Sequence, residues 1–260
     1  MSTPAHPHDD PARQGAEHPH APAGPGQGAD ADRDWSDVDW DELYRERGLG
    51  GRDEDGASTV VPRHAGHAWS GLPNATVVDQ LSTTVPTGAG RAVDLGCGEG
   101  ADALWLAGRG WSVTGLDVST VALDRARAVA DATPDLAGEV VFAQQDLAAW
   151  RPAPGSADLV TTAFLHLPVP VRDAAFRAAA RAVAPGGNLL VVGHSAVDLA
   201  PELRGTSRAE LLWSPDDVVA LLDDASWRVE LADVVARPGV DAADAHGHRH
   251  DTVVRAVRTA

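Results

Sequence analysis

The chain has 260 residues, with 38 Asp and Glu against 21 basic residues and a formal charge of −17. All 21 basic residues are Arg, and the lack of Lys excludes a P-loop ATPase, a pyridoxal phosphate enzyme and Schiff-base catalysis. Charge of this sign and size repels a phosphate backbone, and no Arg cluster offsets it, so no nucleic-acid partner is expected.

Residues 1–33 hold Pro, Gly, Ala, Asp and His with almost nothing apolar larger than Ala, which predicts a disordered acidic tail. Trp35 to Arg47 reads as a helix, with Trp40, Leu43 and Tyr44 on one side at helical spacing. Residues 48–64 read as a loop. A second helix is predicted after Pro73-Asn74, carrying Val77, Val78 and Leu81, and Pro86 to Gly90 reads as a turn. Residues 34–90 are thus expected to form an N-terminal helical cap, and residues 91–260 the main body.

From Arg91 strands and helices alternate, which calls for an α/β fold with a parallel sheet covered on both faces. Strands are predicted at Arg91–Leu95, Ser112–Leu116, Glu139–Ala143, Asp158–Ala163 and Asn188–Gly193. Helices are predicted at Ala101–Arg109, Thr120–Ala132, Val171–Ala184 and Pro215–Asp224. Pro185-Gly186-Gly187 is expected to end the third of these helices, and Ser214-Pro215-Asp216-Asp217 to start the last. Two β-rich runs, Trp227–Ala236 and Thr252–Val257, close the chain. No run reaches ~20 apolar residues and no signal-peptide pattern opens the chain, so a cytoplasmic protein without a membrane span is expected.

Asp94-Leu95-Gly96-Cys97-Gly98-Glu99-Gly100 joins the first strand to the next helix, and Asp117 ends the second strand. A carboxylate at a strand tip, a loop bare of side chains and a helix N-terminus make a pocket for a polar small molecule. A carboxylate one strand over can hold the two hydroxyls of a ribose.

These residues make residues 66–260 resemble the class I S-adenosylmethionine-dependent methyltransferases: Asp94-x-Gly96-x-Gly98-x-Gly100 looks like their first motif and Asp117 like their second. The resemblance implies a doubly wound Rossmann-like sheet of seven strands, order 3-2-1-4-5-7-6, with strand 7 antiparallel. It implies S-adenosyl-L-methionine as cofactor, with Gly96, Cys97 and Gly98 lining the loop and Asp94 holding the ammonium. Asp117 would take the ribose, Val118 the adenine face, Asp146 and Leu147 the adenine edge, and Ala163 the far side. Asp117 and Asp146 have a plainer reading as helix N-caps. Cys97, the only cysteine, reads as a small filler and not a nucleophile, and it leaves no disulfide framework.

Methyl transfer from an activated donor needs alignment of the acceptor and exclusion of water, and a base only for a protonated acceptor. His166, just past the fourth strand, is the candidate base; binding to the cofactor or to a loop carbonyl is its alternative role. No Asn/Asp-Pro-Pro-Tyr sequence follows the fourth strand, where Thr161-Thr162-Ala163-Phe164 stands, so a small acceptor with S, O, N or a metalloid centre is expected. Trp40, Tyr44 and Trp69 are candidates to stack on it or surround the sulfonium. The Trp40 and Tyr44 pair and Trp69-Ser70-Gly71-Leu72-Pro73-Asn74 resemble the thiopurine and tellurite-resistance branch. Two other functions fit the glycine pattern. One is an NAD(P)-dependent oxidoreductase, since Gly96-x-Gly98-x-x-Ala101 also satisfies the dinucleotide fingerprint. The other is a protein that binds the cofactor without turnover. His246-x-His248-x-His250 reads as biased composition, so no metal is expected, and the sequence leaves the oligomeric state open.

Overall fold

A computed structural model describes residues 37–48, 67–84, 90–199, 207–223, 225–238 and 249–260. The predicted tail, residues 1–33, lies outside them, as do Trp35, most of the 48–64 loop and the 86–89 part of the turn. Helices α1 (Trp40–Gly48) and α2 (Ala75–Ser82) precede the sheet. Then come β1 (Arg91–Leu95), α3 (Ala101–Gly108), β2 (Ser112–Asp117), α4 (Thr120–Asp131), β3 (Glu139–Gln144) and β4 (Ala157–Ala163). The chain continues with α5 (Val169–Ala182), β5 (Val183–His194), the short α6 (Ser207–Glu210), α7 (Pro215–Val219), β6 (Trp227–Ala236) and β7 (His250–Arg258).

Among the described residues one sheet runs in the order β3-β2-β1-β4-β5-β7-β6. β1 to β5 pair in parallel, and β7 runs antiparallel to both β5 and β6. The order and the antiparallel β7 are those expected; a dinucleotide-binding sheet would run 3-2-1-4-5-6. Central strands read as unbroken apolar runs because helices cover both their faces. On one face Val77 and Leu81 of α2, Leu106 of α3 and Trp111 just before β2 pack against Ala92, Val113, Leu159, Leu190 and Val253. On the other, Phe176 of α5, Val218 of α7 and Trp213 pack on Leu95, Val160, Leu189, Val191 and Val254. The edge strands β3 and β6 are largely exposed.

Apart from strand ends that shift by a residue or two, several boundaries differ from expectation, beginning with α1, which starts at Trp40 and not Trp35, residues 37–39 lying outside the helix. α5 occupies Val169–Ala182 and not Val171–Ala184, because the backbone turns extended at Val183 (φ −67°, ψ 130°) and Pro170 fits the first helical turn. Pro185-Gly186-Gly187 therefore lies inside β5, where Gly186 (φ +81°) stands near a register shift opposite Ala157 and Leu159. α7 ends at Val219 although apolar spacing continues to Leu222. Its hydrogen bonds tighten there from i−4 (Ala220 N–H to Asp216 O) to i−3 (Leu221 to Val218, Leu222 to Val219).

Candidate functional site

The order of connections reverses between β1 and β4, which opens a crevice at their C-terminal ends where open α/β sheets take ligands. The loop 96–100 fills its floor. The N–H groups of Gly96 and Cys97 both donate to Leu116 O, at 2.7 and 3.0 Å, pinning the loop to the end of β2. Gly96 (φ +68°) and Gly98 (φ +53°) are left-handed, a conformation that side chains resist. A Cβ at Gly96 would stand 2.8 Å from Leu165 Cδ1, and one at Gly98 2.6 Å from the Tyr44 hydroxyl. The segment after β4 and helix α1 thus approach the loop from two directions.

Two carboxylates flank it from neighbouring strands. Asp94 is 2 % exposed and accepts from Thr161 Oγ1 at 3.2 Å. Burial, reinforced by the nearby Asp102 carboxylate, pushes its pKa well above the ordinary value. Asp102, in the first turn of α3, accepts from Asn74 N at 2.6 Å, and burial raises its pKa to about 6. Asp117 accepts from Gly98 N at 2.8 Å and Ser119 N at 2.9 Å; burial outweighs these bonds and raises its pKa too. Asp117 is no helix cap: Ser119 caps α4, accepting from Ala122 N at 3.1 Å. Asp146 does not cap a helix either. It is exposed in a turn, accepting from Ala148 N at 2.8 Å, and the chain from there to β4 contains no helix.

The other predicted site residues divide between the crevice and its surroundings. Val118, 45 % exposed, follows Asp117, while Leu147 is buried in the core. Ala163, half-buried, ends β4. Burial and the neighbouring Asp94 and Asp117 drive the Cys97 thiol well above its usual pKa, so it stays protonated, as a filler does. His166 is half-buried and stacks on His194, ring centroids 5.4 Å apart. Tyr44 and Trp69 meet over the loop: Trp69 Nε1 donates to the Tyr44 hydroxyl at 3.1 Å, and burial and Asp117 raise the phenol's pKa. Trp40 packs with Val38 on Leu43 and Leu211.

Several residues join the site that the sequence did not single out. Asp41 of α1 accepts from Ser119 Oγ (2.6 Å), Thr120 Oγ1 (2.9 Å) and Val121 N (3.2 Å), so it clasps the start of α4 beside Asp117. These bonds, Ser119 foremost, hold its pKa below the usual carboxylate range. Glu99, 6 % exposed, accepts from Ala68 N and pairs with Arg125 at 3.0 Å; Arg125 also donates to Tyr44 O at 2.7 Å. No local sequence signal marked them, because each partner lies 26 to 81 residues away.

His250 Nδ1 lies 2.8 Å from Asp198 Oδ1; His246 and His248 fall outside the described residues. Among the described residues no group of three potential ligands could hold a metal ion, and no helix is long and apolar enough to cross a membrane.

Residues 92–187 match the family described as methyltransferase domain. The 2-heptyl-1-hydroxyquinolin-4(1H)-one methyltransferase of Mycobacteroides abscessus is 32% identical over 140 residues, which are 50% of this chain and 61% of that protein. The ubiquinone biosynthesis O-methyltransferase of Ralstonia nicotianae is 37% identical over 120 residues, 45% of this chain and 48% of that protein. The chain therefore spans about half to three-fifths of these curated relatives. A solved S-adenosylmethionine-dependent methyltransferase from Methanosarcina mazei shares the fold at 20% identity and a TM-score of 0.56, over 69% of this chain and 96% of that one. Sheet order, glycine loop and sequence matches agree: residues 92–187 match a methyltransferase domain, and the sheet around them has the fold of the S-adenosylmethionine-dependent enzyme from Methanosarcina mazei.

Proposed function

We propose that the protein transfers the methyl group of S-adenosylmethionine to a small-molecule acceptor. The observation that carries this reading is the pair of buried carboxylates, Asp94 and Asp117, on adjacent parallel strands either side of a left-handed glycine bend. A cation beside Asp94 offsets the cost of keeping that carboxylate ionised, and the ammonium of the donor supplies one. Backbone N–H groups of Gly98 and Ser119 hold one oxygen of Asp117 each, and a carboxylate fixed at both oxygens suits the ribose diol. Val118 offers an apolar face to the adenine, with Asp146 and Leu147 at its edge. Gly96, Cys97 and Gly98 admit the donor's backbone-hugging portion, and Ala163 bounds the methyl side.

Residues 34–90 act in this reading as a cap on the body formed by residues 91–260. Tyr44 and Trp69 close the site over Gly98, and exclusion of water there favours transfer over hydrolysis. Trp40 supports the cap through Leu43. His166 is the residue in reach to take a proton from an O–H, N–H or S–H acceptor. Both curated relatives are named as methyltransferases, of a hydroxyquinolone and in ubiquinone biosynthesis, which supports a small, non-polymeric acceptor.

Titration calorimetry of the full chain with S-adenosylmethionine and with NADH tests the reading. Binding of the first alone, with turnover on a panel of phenols, thiols, amines and metalloid oxyanions, is the expected result. Binding without turnover would leave a cofactor-binding protein, and a preference for NADH would overturn the proposal. Asp117→Ala should weaken S-adenosylmethionine by at least about tenfold, since two hydroxyls lose a charged acceptor worth roughly 1.5–3 kcal/mol per bond.

A further inference from the structure

Ala163 ends β4, and the next three residues divide their side chains between two neighbours. Leu165 reaches the glycine bend at Gly96, while Phe164 and His166 both stack on His194, the last residue of β5. Phe164 and His194 lie 4.3 Å apart with planes 22° from parallel, and His166 and His194 5.4 Å apart at 24°. The Arg237 guanidinium extends the row, its Cζ 5.2 Å from the Phe164 ring centre. Arg237 is locked by Asp251 at 2.7 Å, a carboxylate with no exposed surface, so its charge is matched and it offers a flat face rather than a net cation.

The chain tolerates strain to build this row. Phe164 has φ +56°, left-handed and unfavourable for a bulky side chain. Strain of this kind collects at ligand clamps, where packing overrides local preference. Phe164, His166 and His194 are all half-buried, and they stand at the C-terminal ends of β4 and β5, beside the bend.

We infer that Phe164, His166 and His194 form an acceptor wall selective for a flat aromatic ring, so that the acceptor is an aromatic compound bearing the methylated atom and not an aliphatic thiol or a metalloid oxyanion. This rests on the methyl-transfer reading above and narrows its substrate class. Phe164 and His166 lie 22° and 24° from parallel to His194, and such a stack rewards one more planar group at its His166 end while giving nothing comparable to a puckered ring of equal size. With the Arg237 charge matched by Asp251, the wall supplies no net cation for an oxyanion.

The test compares naphthol with its fully saturated decalin alcohol by calorimetry on the full chain loaded with S-adenosylhomocysteine. The parent should bind naphthol roughly fivefold more tightly. His166→Leu, at the end of the row, should bring that ratio close to unity, and His166→Phe, which restores a flat ring, should recover it. If His166→Leu fails to bind S-adenosylhomocysteine, His194→Leu, next in the row, replaces it, with the same loss of ratio expected. Equal affinities in the parent, or a ratio unchanged in the leucine variants, would overturn the inference. Failure of the parent to bind S-adenosylhomocysteine, with the naphthol preference intact, would instead remove the transfer reading and leave the aromatic wall standing.

Discussion

Asp94, Asp102 and Asp117 crowd three carboxylates around one bend, and burial raises the pKa of each. A carboxyl whose pKa is higher folded than unfolded binds more protons in the native state. Its stabilisation is therefore full below the unfolded value and is lost as pH rises through the folded one. For Asp102 the window runs from 3.8 to about 6. Asp102→Asn should remove that slope and raise the stability of the ligand-free protein at pH 7, by an increment on the order of 2 kcal/mol in urea denaturation. The difference between parent and variant is the quantity to measure across that window, because Asp41 and Asp158, with lowered pKa values, tilt the total curve the other way. A variant with the parent's pH profile would contradict the assignment. Cys97 gives a second check at this scale. Its thiol is protonated and packed against the Gly115 backbone, so iodoacetamide at pH 8 should leave it unmodified in buffer and alkylate it fully in urea.

At the scale of elements, α1 behaves as an extra cap on α4. Ser119 satisfies one N–H of the α4 start, and Asp41 reaches across from α1 to Val121 N and two hydroxyls. Negative charge there also opposes the positive end of the α4 dipole. Asp41→Ala should cost about 1 kcal/mol in urea denaturation, within the range of lost N-caps. Because Tyr44 sits on the same helix one turn on, the variant should also weaken S-adenosylmethionine binding several-fold in calorimetry. A stability loss with unchanged affinity would separate α1 from the site. α7 carries a lesson about sequence periodicity. The start of the helix at Ser214 and Pro215 was legible, since a capping hydroxyl and its first turn are neighbours in sequence, but the reciprocal bond from Asp217 and the end of the helix were not. Apolar spacing through Leu222 is satisfied equally by a tightened turn, and packing on β6 and β7 selects between them.

Across the whole molecule the sheet is tied at its antiparallel side by a long-range network. Asp251 of β7, fully buried, accepts from Thr76 Oγ1 of α2 at 2.6 Å and pairs with Arg237 beyond β6. Thr76 and Asp251 are 175 residues apart, so one carboxylate joins an early helix of the described fold to its last strand. Asp251→Ala should destabilise by about 3 kcal/mol, the lower end for a broken buried pair, as measured in urea. Asp251→Asn should recover part of this through the Thr76 bond, and an alanine variant as stable as the parent would show the network to be idle.

The strands, most of the helices and the acid–glycine–acid loop were legible from residue order alone, because periodicity, turn residues and caps are properties of neighbours. Asp94, Gly96, Gly98 and Asp117 could be read for the same reason: each stands at a junction that local rules mark. The partners of Asp41, Glu99 and Asp251 and the row from His166 to Arg237 emerged only in the tertiary structure. Each of these depends on which surfaces meet after the sheet has closed, and sequence spacing carries no record of a contact made across 26 to 175 residues.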